Sequence, residues 1–394
     1  MTVREAAFKI LQKVEKGAFS QDLMEEISDL PDKDRGLLTQ LVYGTIRYQG
    51  AIDTIIQNRI PIANRIILRL AAYQMFFLSK IPQYAIVNES VELAKKYCSR
   101  KTAGFINAVL RNWGRKPPVI SDKLSHPQWL IERWSKMYGK PATEELCNFN
   151  NSIPPIYVRF NSLKEIPQDV SFQFKETGRP GIYEVVSQAK INSLKGYVEG
   201  MFHVQDIAQS YVLGLLDARP GNSVLDICAS PGGKTCTIAE IMDGKGSITA
   251  VDISREKVKL IEENCARLGV SIVKTVIGDG RKISLGLFDR VLVDAPCSNT
   301  GVFRRRIEAR WRLKQADFQR LAAQQLELLE NAKKHLKKDG ILVYSTCSID
   351  KSENEEVVDK FAKKYQDIKL VSSIKKLPQI DNMDGVFAAR LVYC

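Results

Sequence analysis

The sequence predicts an α/β protein: a doubly wound, mostly parallel sheet preceded by an all-α region, with a small mixed α+β segment between them. Three observations carry this. Apolar residues before position 115 recur three and four apart. Prolines and a change of pattern mark a joint near positions 116–118. Beyond position 206, strand-like and helix-like stretches alternate. At 394 residues the chain is too long for one typical domain.

The first region reads as a bundle. Ala7, Leu11 and Val14 fall on one helical face, as do Leu37, Leu41 and Val42, then Ile66, Leu70, Tyr73 and Phe77, then Phe105 and Val109. Pro31, Pro61 and Pro82 stand where helices should begin or end. After Lys116-Pro117-Pro118 come Ser125-His126-Pro127 and Trp129, a short helix, and an alternating stretch over 156–160 that reads as a strand. Domains are therefore expected at 1–125, 126–205 and 206–394.

In the last region, strands are expected over 224–228, 247–252, 272–277, 290–294 and 340–345. Helices are expected from Thr235, over 256–268 and over 316–336. This alternation implies a Rossmann-like sheet, which binds ligands beyond the carboxyl ends of its strands.

Composition narrows the class. Hydrophobic residues make up 44% and charged residues 26%, an ordinary globular balance. No apolar run reaches the roughly 18 residues that span a bilayer. The first eleven residues mix charge with apolar positions at helical spacing rather than forming a secretory leader, so a cytoplasmic location is expected. Eight cysteines without a CxxC pair, and three histidines, argue against a zinc site and for free thiols. Formal net charge is +13, divided as +7 over residues 1–150, zero over 151–210 and +6 over 211–394. That distribution favours a polyanionic partner.

The chemistry concentrates at the expected strand ends. The loop Asp226-Ile227-Cys228-Ala229-Ser230-Pro231-Gly232-Gly233-Lys234-Thr235 joins the first strand to its helix. Its glycines allow close approach of a ligand, and the helix start offers free N–H groups. It is neither GxGxxG nor a P-loop. Asp252 ends the second strand, where a carboxylate can hold a ribose diol. Asp279 ends the third, where its carboxylate could hydrogen-bond an exocyclic amine. Asp294-Ala295-Pro296-Cys297 and Ser345-Thr346-Cys347-Ser348 place a cysteine past the fourth and fifth strands, facing one crevice. Carbon 5 of a pyrimidine is a poor nucleophile; a thiolate added at carbon 6 turns it into an enamine carbon able to attack a sulfonium methyl. Arg304, Arg305, Arg306, Arg310 and Arg312, interleaved with Trp311, read as a surface for phosphates and stacked bases.

These signatures together resemble the RNA cytosine-5 methyltransferases, and within them the branch acting on bacterial 16S ribosomal RNA. The likeness covers nearly the whole chain. The N-terminal helices, with Phe105-Ile106-Asn107-Ala108-Val109-Leu110-Arg111, are similar to that branch's NusB-like RNA-binding domain. Ser125-His126-Pro127, Trp129 and Val204-Gln205-Asp206 match its central region. The resemblance implies a class I methyltransferase core using S-adenosylmethionine, held by Cys228, Ala229, Ser230, Pro231, Gly232, Gly233, Lys234, Asp252, Lys257, Asp279 and Asp294. It implies Cys347 as nucleophile and Cys297 as the residue aiding proton abstraction or release, with Asp294 and Lys234 beside the target base. It further implies 16S rRNA as partner, with a monomeric chain expected and no metal. Two positions depart from the pattern: Ser230 stands where the family usually has Ala, and Arg304-Arg305-Arg306-Ile307-Glu308 replaces the usual Arg-Arg-His-Pro-Asp. A tRNA methyltransferase with the same core, or a catalytically silent RNA-binding assembly factor, are the alternatives. The helical N-terminal domain favours the rRNA branch, and the retained cysteines favour an enzyme.

Overall fold

The computed structural model describes residues 1–25, 30–56, 59–165, 173–186, 191 and 195–394. Two compact units emerge: Met1–Ser152 with Phe303–Arg312, and Ile153–Val302 with Leu313–Cys394.

The first unit is helical. It holds α1 (Val3–Glu15), α2 (Ser20–Glu25), α3 (Asp32–Arg47), α4 (Gln49–Asp53), α5 (Ile62–Phe77), α6 (Gln83–Tyr97) and α7 (Arg100–Arg115), then α8 (Gln128–Tyr138) and α9 (Lys140–Asn150). Caps set the register of two of them: Thr2 accepts from the Glu5 amide at the start of α1, and Ser99 from the Thr102 amide at the start of α7. Pro31, Pro61 and Pro82 sit immediately before α3, α5 and α6, as the spacing predicts. The apolar faces meet in one core around Phe8, Leu41, Ile67, Leu70 and Ile106.

The second unit carries two sheets. A four-stranded antiparallel sheet has the order β2-β3-β1-β4, from β1 (Ile156–Phe160), β2 (Phe174–Glu176), β3 (Ile182–Val185) and β4 (Phe202–Val204), with the short α10 (Lys195–Val198) between β3 and β4. Helices α8 and α9 belong to the helical unit because Trp134 of α8 is fully buried against His126 and Phe303 there.

The large sheet follows α11 (Ile207–Leu216), whose N-cap Asp206 accepts from the Ala208 amide. Its strands are β5 (Ser223–Ile227), β6 (Ser247–Asp252), β7 (Val273–Ile277), β8 (Phe288–Asp294), β9 (Leu336–Thr346), β10 (Ile368–Lys376) and β11 (Val386–Tyr393). They lie in the order β10-β11-β9-β8-β5-β6-β7. Pairs from β9 through β7 are parallel, and β11 runs against both its neighbours. Helices α12 (Gly233–Ile241), α13 (Arg255–Leu268), α15 (Asp317–Lys333) and α16 (Glu355–Lys364) connect them, with α14 (Ala309–Arg312) in the helical unit and α17 (Pro378–Asp381) before β11. Val291–Val293 and Leu342–Tyr344 are fully buried, because helices cover both faces of the parallel strands. The chain leaves β5 first towards β6 and β7, then returns to the other side at β8. That reversal opens the crevice at the carboxyl ends of β5 and β8.

Candidate active site

The loop after β5 turns sharply. Cys228 has φ 65° and Gly232 φ 99°, and the Ser230–Pro231 peptide is cis. A Cβ on Gly232 would stand 3.1 Å from Ile261 Cα, so both its backbone angle and its contact with α13 call for glycine. A Cβ on Gly233, by contrast, would meet nothing within 4 Å, which leaves open space over the start of α12. The loop is tied back by hydrogen bonds from the Ala229 amide to Val251 O (3.1 Å) and from the Gly232 amide to Ala229 O (2.8 Å). Asn264 Nδ2 donates to Pro231 O at 2.9 Å. Burial pushes the Cys228 thiol up to about 12, so it stays neutral.

Acidic side chains stand at the next strand ends. Asp252, at the end of β6, accepts from the Ser230 amide at 3.0 Å and the Ile253 amide at 2.8 Å, with Lys257 Nζ 3.3 Å away. A carboxylate has about four acceptor positions, so with these three partners about one remains for a ligand hydroxyl. Asp279, just past β7, is gripped by Arg281, whose hydrogen bonds hold the carboxyl down at about 2. Asp294, at the end of β8, accepts from Lys234 Nζ at 2.7 Å and Ser345 Oγ at 2.8 Å. Burial alone would pull the Lys234 ammonium down, but Asp294 outweighs it and holds it above its ordinary value.

Beyond β8 and β9 lie the two thiols. Register pairs Asp294 with Ser345, so Cys297 and Cys347 leave adjacent parallel strands at the same level. Their sulfurs are 3.1 Å apart. Contact with Cys347, and then burial, push the Cys297 thiol up, with Glu353 adding to the shift. Cys347 Sγ also reaches Asn299 Oδ1 at 3.4 Å, and Asn299 Nδ2 donates to Cys297 O at 3.0 Å. Asn299 sits at φ 61°, which an Asn side chain tolerates better than most.

Three models of known families match the chain in sequence order: the NusB family over residues 1–115, the ferredoxin-like domain of RsmF/B-like methyltransferases over 126–183, and the 16S rRNA methyltransferase RsmB/F over 213–392. The probable ribosomal RNA small subunit methyltransferase B of Bacillus subtilis is 36% identical, over 96% of this chain and 92% of its own. The ribosomal RNA small subunit methyltransferase B of Serratia proteamaculans is 32% identical over 98% and 97%. The chain belongs to the RsmB/F family of methyltransferases. Among solved structures, that of PH0851 superposes with a TM-score of 0.86 at 26% identity over 98% of both chains. A methyltransferase homolog from Pyrococcus horikoshii gives 0.61 at 26% over 69% of this chain and 97% of that one.

As a member of this family the chain is an S-adenosylmethionine-dependent methyltransferase. The residues fit that cofactor: open space over Gly233 at a helix start, a remaining acceptor position on Asp252 for a ribose hydroxyl, and Asp279 further along the same rim. Lys257 stands beside Asp252.

The arginine-rich run lies elsewhere. Arg310 is fully buried in the helical unit, donating to Asn151 Oδ1 at 2.6 Å, Asn150 O at 2.9 Å and Phe303 O at 3.1 Å. Arg304 is buried over the Phe149 ring. Trp311 Nε1 donates to Ile46 O at 2.9 Å, and Arg312 donates to Val14 O at 3.1 Å and Ala18 O at 2.5 Å. The expectation of an RNA contact is corrected for Arg304 and Arg310, whose side chains are buried inside the helical unit, while Trp311 and Arg312 are half-buried. Arg306 is exposed and Arg305 partly so.

Sequence reasoning also missed Asn299, and it missed Asp226 and Glu353. Asp226 is fully buried in β5, accepts from Thr235 Oγ1 at 2.6 Å, and is pushed by burial up to about 7. Its sole sequence signal was its place at the head of the stretch 226–235. Glu353 had none, standing in a polar Ser-Glu-Asn-Glu run that reads as a solvated helix start.

Proposed function

We propose that this chain methylates carbon 5 of a specific cytosine in 16S ribosomal RNA through a covalent bond between Cys347 and carbon 6 of the base. The observation that carries the proposal is the pair of thiols, 3.1 Å apart at adjacent strand ends beside the Lys234–Asp294 pair. A nitrogen or ribose methylation has no use for a thiol there; a carbon 5 methylation needs one to form the adduct. The curated relatives, named for the small-subunit ribosomal RNA, support the substrate.

In this reading the Cys347 sulfur forms a bond to carbon 6, and carbon 5 gains the electron pair with which it takes the methyl group. S-adenosylmethionine, when bound, supplies that methyl as a sulfonium substituent. Release then requires the carbon 5 proton to pass to a base, the 5,6 double bond to re-form, and the carbon 6–sulfur pair to return to Cys347. Cys297, in contact with the departing sulfur, assists this second step. Asp294, partly open to solvent, accepts from the base while Lys234 and Ser345 fix its direction. The target base must be unpaired or turned out of its stack to reach the rim. The chain acts as a monomer in the cytoplasm; no described helix is long and apolar enough to cross a membrane.

The test is bisulfite sequencing of 16S rRNA and tRNA from cells lacking the gene, complemented with cysteine variants. One 16S cytosine should lose its methylation and regain it with the wild-type chain but not with Cys347→Ala. Cys297→Ala should accumulate a protein–RNA adduct that survives denaturing electrophoresis. An unchanged 16S pattern with a lost tRNA methylation would overturn the substrate, and full activity of Cys347→Ala would overturn the adduct.

A further inference from the structure

Glu353 lies in the turn between β9 and α16, far in sequence from one of the two cysteine loops, yet it is fully buried and bonded to both. Its Oε1 accepts from the Ser298 amide at 2.9 Å and Gln325 Nε2 at 3.1 Å. Its Oε2 accepts from two hydroxyls at once, Ser298 Oγ at 2.5 Å and Ser348 Oγ at 2.6 Å. Ser298 directly follows Cys297, and Ser348 directly follows Cys347. One carboxylate oxygen is therefore shared by the residues next to both thiols.

The surroundings leave little freedom. Thr300 Oγ1 lies 3.2 Å from Ser298 Oγ and 3.1 Å from Ser348 Oγ, and it accepts from the Ile349 amide at 3.1 Å. Each serine hydroxyl has one hydrogen, and both are aimed at Glu353, so the Thr300 hydrogen can serve either serine oxygen. The backbone of Glu353 is fixed as well, its carbonyl accepting from Tyr344 OH at 2.5 Å. Taking a carboxylate out of water costs several kcal/mol, and apolar packing would hold two loops together more cheaply. What a carboxylate adds is direction: two short charge-assisted bonds fix where each serine, and the cysteine beside it, must stand.

We propose that Glu353 is a positioning residue for methyl transfer, setting the Cys297 and Cys347 thiols against each other through Ser298 and Ser348. It touches neither substrate nor cofactor. The catalytic part of the inference rests on the covalent reading above; the geometric part does not.

The experiment has two arms. In the first, without RNA, the whole chain is treated with diamide, a diazene that takes two hydrogens as the Cys297 and Cys347 thiols join in a disulfide. Glu353→Gln, Ser298→Ala and Ser348→Ala should each slow that closure, Glu353→Gln by about 10-fold or more, because intramolecular closure depends on placement. The serine variants keep the test alive if Glu353→Gln does not fold. Closure at the wild-type rate in all folded variants overturns the proposal, whatever the RNA arm reads.

In the second arm, adduct formation on a 16S rRNA transcript is followed in the Cys297→Ala background, where only the Cys347 step remains. Ser348→Ala and Glu353→Gln should slow it by about 10-fold while Ser298→Ala leaves it within about two-fold, with KM for S-adenosylmethionine unchanged. Equal slowing by both serines, or slowing that tracks the loss of melting temperature, reduces Glu353 to a scaffold and overturns its positioning role. Absence of any adduct in Cys297→Ala itself defeats the covalent reading instead and leaves the diamide arm to decide the geometry.

Discussion

Lys234 and Asp294 form a pair, 2.7 Å from Nζ to Oδ2, that joins the helix start after β5 to the end of β8, across the point where the sheet reverses direction. Ser345 takes the other carboxylate oxygen from β9, so three strand ends meet on one side chain. Lys234→Met should lower methyl transfer by about 100-fold, the usual loss when one preorganised electrostatic contact goes. Its stability cost should stay near 1–2 kcal/mol, since Asp294 is partly exposed and keeps Ser345. The double variant with Asp294→Asn should then cost about 1 kcal/mol less than the two single changes summed. Urea unfolding of the four proteins measures this, and strict additivity would show that the pair is not coupled.

Gly301 holds the Cys347 loop through backbone alone. Its amide donates to Cys347 O at 2.9 Å, and its carbonyl accepts from the Gly385 amide at 2.8 Å. A Cβ at Gly301 would lie 2.6 Å from Cys347 O and 2.8 Å from Gly385 Cα, and neither neighbour can rotate away. Gly301→Ala should cost about 1–3 kcal/mol by overpacking. It should also cut methyl transfer by about 100-fold, because the displaced atom belongs to Cys347, the proposed nucleophile. A variant that is destabilised but turns over at the wild-type rate would separate the loop from the chemistry.

How much of this was legible follows from the range of each interaction. The parallel core was readable because its buried strands and their helices repeat locally; β5 to β9 lie within a few residues of the expected stretches. Both thiols were readable because the rule placing ligands at strand ends needs only strand positions. The edge pair β10 and β11 was not, since β10 is largely exposed and lacks an apolar alternation. Glu353 was hidden for a different reason: its partner Ser298 is 55 residues away, and nothing in a polar run distinguishes a clamped carboxylate from a solvated one. Arginines misled most. Interleaved with Trp311, they resemble a nucleic-acid surface, while two of the acceptors that bury Arg310 are a carbonyl and a side-chain amide about 160 residues distant.

That anchoring gives Arg310 and Arg306 opposite signatures. Arg310→Ala strands the Asn151 side chain and two carbonyls and opens a cavity, for a cost of about 3 kcal/mol or more. The melting temperature should fall by roughly 10 °C. Arg306→Ala, at an exposed position, should change stability by less than about 0.5 kcal/mol. If Arg306 contacts a phosphate, its loss should reduce the salt dependence of RNA binding by about one charge. Calorimetry and filter binding at several salt concentrations separate the two, and a thermally silent Arg310→Ala would return that residue to the surface.

Asp226 ties the folded state to pH. Its carboxyl has an ordinary value of 3.8 and is pushed up to about 7 by burial, against the hydrogen bond from Thr235. Between those values the folded chain holds a proton that the unfolded chain has released. The sign follows: this group's contribution is complete below pH 3.8, is lost as pH rises through about 7, and is constant above. At 1.36 kcal/mol per unit, the loss approaches about 4 kcal/mol at most. Asp226→Asn cannot titrate, so the stability of wild type relative to this variant should fall by about 2–3 kcal/mol between pH 5 and pH 8. Urea midpoints of both proteins at the two pH values decide it. A difference that stays constant, or one that grows in favour of wild type at pH 8, would mean that Asp226 is ionised in the folded chain and that Thr235 outweighs burial.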